Sequence, residues 1–508
     1  MKRTHILSLS LSLLWSLSAV PAWAQHGPHH PEASPVPSPE SNPDSQPVPP
    51  ATQEDHSGHS PAPSPSPEAT QDGAGQAKDQ EHHGHDMDSH ANPITYQLME
   101  RARTLGSGTS LLPQTSPMRM WSLETGDWLW MLHGDLVAGY NHQGGPRGAN
   151  TWAGENWAMG MLTGHLGPGI LDLRAMGSLE ALTLPAGGTP ELFQTGETYL
   201  GQPLRDKQHP HDLLMELAAR YTIKPTEDLS LFAYAGLAGE PALGPAAFMH
   251  RPSAADNHWA PLSHHLQDAT HISYGVGTLG ARWRMLQLEA SLFNGREPDE
   301  NRFDLDFGPL DSWSTRLSWI PNQNWVAQIS YGQLKDPEPL APGDVYRTTA
   351  SLTNVQPLGN GLLSSSAIWG MNQEHHGEPR TLHSFGLESQ YDWDQQRNHV
   401  YGRLELVDKT GLNLTGAEHA HDLHRIGALT LGGIRELDGS EHFDLGLGAD
   451  FSLYFADSEV RQVYGDVPYG FRVYLRLRPP TMDHAPQSPL PSPAPSGTPQ
   501  MPRSHEHH

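Results

Sequence analysis

The stretch "WLWMLHGDLVAGY", Trp128–Tyr140, decides the fold. Its even-numbered positions are all apolar, aromatic or glycine, whereas its odd-numbered positions include His133 and Asp135. An alternation with a period of two predicts a β-strand with one apolar face and one polar face. The same alternation recurs in "ILDLRAMGSLEAL" (170–182), "DLLMELAARYTI" (212–223) and "FRVYLRLR" (471–478).

Short turns and long loops alternate between these segments. Eight long connections and seven short turns predict about sixteen strands, with both chain ends on the short-turn side. This is the layout of an outer-membrane barrel, in which closure removes exposed strand edges. We therefore predict an all-β fold, a transmembrane antiparallel β-barrel; a soluble all-β protein is the alternative. The long connections cover 141–155, 183–211, 239–269, 295–312, 334–345, 371–381, 408–423 and 456–468.

The segments outside the barrel differ in composition. Residues 1–24 begin with Lys2 and Arg3, continue with an apolar run and end near "PAWAQ", which predicts a signal peptide. Residues 25–92 hold nine histidines, thirteen prolines and no Phe, Trp or Tyr, so this segment is predicted to be a disordered periplasmic tail. The remaining predicted parts are a lead-in segment at 93–118, the barrel at 119–478 and a second disordered tail at 479–508.

Charge and motifs exclude several functions. The formal net charge of −26 argues against a nucleic-acid partner, because phosphate binding needs clustered Lys and Arg. The chain has no cysteine, so disulfides do not stabilise it. It also lacks a G-x-S-x-G elbow, a P-loop and a G-x-G-x-x-G turn after a strand, so we predict that it is not an enzyme.

Charged residues on the polar faces of the strands are expected to lie in the lumen. Mixed Arg and Glu rings would set the ion selectivity of an open pore. Paired, solvated charges in a purely structural lumen are the other interpretation, and the sequence leaves both open. The residues predicted to line the lumen are Arg174, Glu216, Arg220, Arg316, Glu388, Arg403, Glu405, Arg472 and Arg476.

Histidines are concentrated in the tails and in the predicted outer loops. Neutral imidazole suits Cu(II), Zn(II) and Ni(II), and thioether sulfur suits Cu(I), so Cu or Zn ions are the expected ligands and no organic cofactor is predicted. No closed zinc-finger spacing is present, so a site would be assembled from several loops. The alternative is that these are ordinary polar loop residues. The predicted metal ligands are His82, His83, His85, Met87 and His90 in the tail, and His209, His211, His250, His264, His265, His271, His419, His421 and His424 in the loops.

Two resemblances follow from these motifs. The order of signal peptide, "HDMDSH" segment and barrel is similar to copper resistance protein B. The stretches "GDWLWMLHG", "QTGETYLGQPLRDKQHPHDL", "GEPALGPAAFMHRPSA" and "FNGREPDENR" resemble a family of uncharacterised bacterial outer-membrane β-barrel proteins. The resemblance implies a Gram-negative outer-membrane location and companions in heavy-metal handling.

Three functions stay open at this point. The first is an outer-membrane barrel that binds transition-metal ions, most simply copper, in metal tolerance or traffic, with periplasmic metal-handling proteins as partners. The second is a general diffusion porin with incidental histidines, for which a homotrimer is a common assembly. The third is an enzyme assembled from separate strands.

Overall fold

The structure is a computed structural model that describes residues 93–375, 379–415, 422–437 and 442–482. The backbone of these ranges is mostly extended. Its strands, in chain order, are β1 (Trp121–Thr125), β2 (Trp128–Gln143), β3 (Asn150–Ala153), β4 (Asn156–Leu166), β5 (Gly169–Gly177), β6 (Thr189–Tyr199), β7 (Gln202–Gln208), β8 (Leu214–Ile223), β9 (Leu229–Gly239), β10 (Ser273–Trp283), β11 (Leu286–Phe293), β12 (Ser312–Asn322), β13 (Trp325–Leu334), β14 (Val345–Leu358), β15 (Gly361–Glu374), β16 (Arg380–Trp393), β17 (Asn398–Thr410), β18 (Leu423–Glu436), β19 (Asp444–Phe455) and β20 (Tyr469–Arg478).

Helices are short within the same ranges. The longest begins at a proline, which suits the first helical position because its missing N–H would be unpaired there. None of the described helices is both long and apolar enough to cross a membrane. The helices are α1 (Pro93–Arg103), α2 (Glu180–Thr183), α3 (His264–Gln267), α4 (Gly411–Leu414) and α5 (Ser458–Tyr464), and two 3₁₀ turns cover Phe248–His250 and Ala269–His271.

Sixteen strands form one closed antiparallel barrel, which confirms the predicted fold class. Each barrel strand pairs with the next one along the chain. The barrel closes where β2 pairs with β20, from Leu136 opposite Leu477 to Gln143 opposite Gly470. The other four strands are accessory, because β1 and β3 extend the pairing of β2 and β6 pairs only with β7.

The two faces of the barrel wall have opposite chemistry. On β20, Val473 and Leu475 are each 48% exposed on the outside, whereas Arg472 and Arg476 point inward and are buried. An outer surface of exposed apolar side chains over a polar interior is the reverse of a soluble protein and matches a wall that faces lipid.

Two details of the predicted register are wrong. The alternation at 170–182 was expected to be one strand, but β5 ends at Gly177 and the chain turns into α2. The alternation in 212–223 groups Met215 with Leu213 and Leu217 on the apolar outer face, yet Met215 is buried on the inside. A register shift between β5 and β8 at Met176 and Gly177 explains the second error, since one extra residue moves a side chain to the opposite face.

The two ends of the barrel differ in their connections. One end has tight turns such as 167–168 and 284–285, and we call it the short-turn end. The opposite end, the long-loop end, has extended connections such as 178–213 and 240–272. The alternation of short and long connections that predicted the strand number is therefore present.

The lead-in segment runs inside the barrel rather than along its outer surface. Leu98 and Ala102 of α1 pack against Leu129 and Met131 on the inner face of β2. After the helix the chain is held by barrel arginines. Arg174 Nη1 donates to the carbonyl oxygens of Gly106 and Gly108, at 2.9 Å each, and Arg316 Nη2 donates to Thr109 Oγ1 at 3.0 Å.

The connection between β9 and β10, residues 240–272, also lies in the interior, and we call it the inserted loop. Gly244 takes a positive φ of 97° there, and a Cβ at this position would lie 2.4 Å from the carbonyl oxygen of Gln267. The loop is rich in proline and alanine, which leaves many backbone groups to be bonded by the wall. Its contacts include Ser253 Oγ to Ser366 Oγ at 2.7 Å and Ser263 Oγ to Glu405 Oε1 at 2.8 Å.

Candidate metal site in the long loops

Five of the predicted loop histidines come together at the long-loop end. His209 and His211 follow β7, His264 and His265 are in α3, and His271 ends the 3₁₀ turn before β10. Their ring centroids are 6.4 Å apart for His209 and His211, 5.4 Å for His211 and His271, and 5.0 Å for His264 and His271. Residues separated by about fifty positions in the chain are neighbours here because the inserted loop folds back beside β8.

Three of these rings share one hydrogen-bonding arrangement. Nδ1 of His211 contacts Glu180 Oε2 at 2.8 Å, and Nδ1 of His264 contacts Asp268 Oδ1 at 2.7 Å. Nδ1 of His271 contacts the carbonyl oxygen of Asp268 at 3.1 Å. Acceptors at all three Nδ1 atoms favour the tautomer with hydrogen on Nδ1, which leaves a lone pair on each Nε2. Metal-ligating histidines commonly have such a carboxylate or carbonyl partner on the other ring nitrogen.

The same three rings line one small cavity. We call His211, His264 and His271 the histidine triad. The cavity has a volume of about 20 Å³, enough for a single water molecule or ion. Within the described residues, the buried Nε2 of His271 has no hydrogen-bond partner. A buried nitrogen lone pair without a partner is costly and is the donor that a metal ion would satisfy.

The other two histidines of the group are placed differently. Nε2 of His209 contacts Glu197 Oε1 at 2.6 Å and its Nδ1 contacts Gln208 Nε2 at 3.3 Å, so both of its ring nitrogens are engaged. His265 Nδ1 contacts Glu297 Oε1 at 3.2 Å, and its ring fills the space beside Gly196. Both residues support the cavity wall rather than completing the triad.

The surroundings of the triad carry several carboxylates, and Arg302 also lines the cavity and pairs with Glu197 and Asp212. Burial lowers the pKa of His264, although Asp268 opposes this effect, and burial together with the neighbouring histidines holds the pKa of His271 well below its usual range. Burial also acts to lower the pKa of His211, but Glu180 outweighs it and the pKa is raised. Neutral imidazole is the ligand form. The carboxylates bonded to the cluster or lining its cavity are Glu180, Glu197, Asp212, Asp268 and Glu297.

Two tighter groups of ligand atoms occur in the described part of the chain. Asp256, Asp392 and His399 lie within 4.8 Å of one another, as do Asp299, Asp304 and Asp306. Arginines already neutralise the first group, because Asp256 is bonded to Arg476 and Arg478. The second group is a largely exposed acidic loop. The triad nitrogens are not all within 4.8 Å of one another, so an ion would draw the rings together by side-chain rotation.

The remaining predicted ligands do not join this site. His250 lies in the interior beside His133, with ring centroids 6.0 Å apart. His424 is on β18 and contacts Asp457 Oδ2 through Nδ1 at 2.8 Å. The tail residues His82, His83, His85, Met87 and His90, and the loop residues His419 and His421, lie outside the described residues.

The charges predicted to line the lumen are buried and largely paired. Glu388 accepts from Arg251 of the inserted loop at 2.8 and 2.9 Å and from Arg403 at 3.1 Å. Arg472 Nη2 donates to Asp450 at 3.0 Å. Several of these side chains bond the inserted loop or the lead-in segment to the wall. The remaining residues predicted to line the lumen are also buried inside the barrel, namely Arg174, Glu216, Arg220, Arg316, Glu405 and Arg476.

Sequence reasoning missed the residues that position the triad. Glu180 was placed on a strand, and Asp268 was not singled out. The only signal for Asp268 was its spacing of four residues from His264 in a segment rich in histidine, which places both on one side of a helical turn. No local signal linked Glu180 to His211, because the contact depends on the path of the chain between β5 and β8.

The closed barrel with an apolar outer surface and a polar interior defines the chain as a β-barrel of the outer-membrane type. Solved structures of outer-membrane proteins and porins are similar to it. No family model and no curated protein matched the chain.

Three solved structures illustrate the similarity. Salmonella typhi OmpF, solved in complex with daunomycin, has a TM-score of 0.45 at 10% identity, covering 70% of this chain and 100% of that one. A loop-deletion mutant of the Vibrio cholerae outer-membrane protein OmpT has a TM-score of 0.42 at 9% identity, covering 69% and 99%. An anion-selective porin from Comamonas acidovorans has a TM-score of 0.41 at 11% identity, covering 69% and 99%. At these values the resemblance does not extend to what the chain binds.

Proposed function

We propose that this chain is an outer-membrane barrel that binds one divalent transition-metal ion at the histidine triad. The observation that carries the proposal is the shared arrangement of His211, His264 and His271, each with Nδ1 bonded to an oxygen and each lining one cavity. Three imidazoles and an open position form a usual site for Zn(II) or Cu(II). Copper is the expected ion, because nitrogen sites bind Cu(II) most tightly among the divalent first-row metals.

A diffusion porin is the alternative, and the occupied interior weighs against it. A porin needs a water-filled path, whereas the inserted loop and the lead-in segment are bonded to opposite parts of the wall. A role in metal tolerance or traffic, metal-handling partners in the periplasm and a homotrimeric assembly stay predictions.

The test is a calorimetric titration of Cu(II) and Zn(II) into the purified full-length chain and into His271→Asn. His271 is chosen because its Nδ1 contacts only a backbone carbonyl, so the substitution breaks no carboxylate pair. We expect the variant to bind one metal equivalent fewer at pH 7, while the tails bind equally in both proteins.

The matched control is His142→Asn, since His142 also lies at the long-loop end but contacts Asn150 and Tyr469 instead of another histidine. The control should retain the full number of equivalents. Identical isotherms for the unmodified chain and His271→Asn, with both barrels folded by circular dichroism, would refute the proposal.

A further inference from the structure

A second group of metal-ligand side chains lies halfway down the barrel, away from the triad. His133 on β2 is directly opposite Met159 on β4, and the two side chains meet at 3.0 Å between Nε2 and Sδ. Met249 and His250 of the inserted loop complete the group. We call His133, Met159, Met249 and His250 the methionine–histidine cluster.

Aromatic contacts fix the two imidazoles. The ring centroid of Trp157 is 5.2 Å from that of His133 and 5.0 Å from that of His250, both edge-to-face. Within the described residues the His250 ring makes these ring contacts but no hydrogen bond. Buried polar groups are normally hydrogen-bonded. An interior imidazole whose two nitrogens have no hydrogen-bond partner in the described protein is therefore a candidate metal ligand.

The cluster faces a cavity lined by methionine and arginine side chains, the arginines being Arg103, Arg119, Arg174, Arg251 and Arg478. The cavity has a volume of about 140 Å³, and five of the chain's fifteen methionines line it. Met159 and Met249 belong to the same hydrophobic cluster as the buried methionines Met176 and Met215, but those two do not reach the cavity. The five that line it are Met118, Met120, Met159, Met161 and Met249.

The composition of this site differs from that of the triad. Thioether sulfur is a soft ligand that selects Cu(I) over harder divalent ions. The triad offers nitrogen alone, with a carboxylate behind the rings of His211 and His264 and a backbone carbonyl behind that of His271. The two sites therefore suit different oxidation states or different metals.

We propose that the methionine–histidine cluster binds a soft monovalent cation, Cu(I) or Ag(I), through His133, His250 and the thioethers of Met159 and Met249. This site does not depend on the triad, because it shares none of the triad's residues. The two lie along one series of cavities. An intermediate cavity of about 60 Å³ shares Trp157 and Met249 with the large one, and shares His211 with the small one.

The experiment titrates Ag(I), which is stable in air, into the full-length chain against a competing chromophoric chelator. The test variant is Met159→Leu combined with Met249→Leu, since exchange of Met for Leu keeps the packed volume and normally preserves the fold. We expect this double variant to lose one tightly bound Ag(I), with its affinity at the cluster lowered at least about 100-fold.

The matched control for packing is Met176→Leu combined with Met215→Leu, which removes the same number of thioethers from the same hydrophobic cluster but none from the cavity lining. It should bind Ag(I) as the unmodified chain does. His271→Asn should also retain the Ag(I) site while losing the divalent equivalent, so that failure of the triad and failure of this cluster are distinguishable. An unchanged Ag(I) count in Met159→Leu/Met249→Leu would overturn the proposal.

A second measurement covers the case in which the double variant does not fold. X-ray absorption at the silver edge of the unmodified chain, loaded with one equivalent, should show sulfur and nitrogen in the first shell. To exclude the sulfurs of the tails, the same measurement is made on Met87→Leu combined with Met501→Leu. If the silver ion in the Met87→Leu/Met501→Leu variant has only nitrogen and oxygen in its first shell, the proposal is also overturned.

Discussion

The inserted loop should be released by replacing one arginine. Arg251 is almost completely buried and donates two hydrogen bonds to Glu388, at 2.8 and 2.9 Å, one to Asp268 at 2.6 Å and one to the carbonyl oxygen of Ala246 at 3.0 Å. Arg251→Met removes the charge and leaves two buried carboxylates, of which only Glu388 keeps another arginine, Arg403. Breaking a buried ion pair in this way costs about 3–5 kcal/mol.

That cost should appear as local opening of the loop, because the barrel strands keep their own hydrogen bonds. A free-energy change of about 1.4 kcal/mol corresponds to a tenfold change in population. The loss of about 3–5 kcal/mol should therefore raise the population of the open loop by a factor on the order of 10²–10³. Hydrogen exchange followed by mass spectrometry measures this directly as faster exchange in peptides from 240–272. Peptides from the strands β11–β13 should exchange at their original rate.

The matched control is Arg284→Met. Arg284 pairs with Asp228 at 3.1 Å in an exposed turn, and an exposed pair of this kind contributes about 0–1 kcal/mol. It should leave exchange in 240–272 unchanged. If Arg251→Met also leaves exchange there unchanged, the buried pair does not retain the loop and the description of the interior is wrong.

Two further predictions concern the triad. Metal affinity should fall as the pH drops through the pKa of His211, because protonated His211 has no lone pair for a metal ion. Glu180 raises this pKa above the usual histidine value. Calorimetry across pH 5–8 measures the affinity, and a flat profile would exclude His211 as a ligand. Gly196→Ala should displace the His265 ring, since a Cβ at this φ of 127° would lie 2.6 Å from its Nε2. The substitution should lower the local stability by about 1–3 kcal/mol, which should be measurable as faster hydrogen exchange in β6 and β7. The metal affinity should stay near that of the unmodified chain. An affinity loss as large as that of His271→Asn would place His265 in the site.

The barrel could be predicted from the sequence because its two signals are local. Alternation such as that of Trp128–Tyr140 assigns each side chain to a face, and the alternating lengths of the connections give the strand number. The register failed beside Met176 and Gly177, where a bulge interrupts the period of two. A bulge has no sequence signature in a segment that alternates on both sides of it.

The filled interior, the geometry of the triad and the methionine–histidine cluster could not be predicted, because they depend on where the inserted loop lies. Its many prolines indicate a loop but not its direction, and the arginines that bond it, such as Arg403, have the same pattern as residues that line an open pore. Histidine enrichment predicted the outer group as a set. It did not separate His271, whose buried Nε2 has no hydrogen-bond partner within the described residues, from His209, whose two ring nitrogens are both engaged. His133 and Met159 looked like ordinary strand residues.

The most direct measurement is anomalous X-ray diffraction at the zinc edge from crystals of the full-length chain grown with Zn(II). The account predicts one strong peak in the small cavity at the long-loop end, about 2.0–2.1 Å from Nε2 of His211, His264 and His271. Clear density for the three rings with no anomalous peak between them would contradict it.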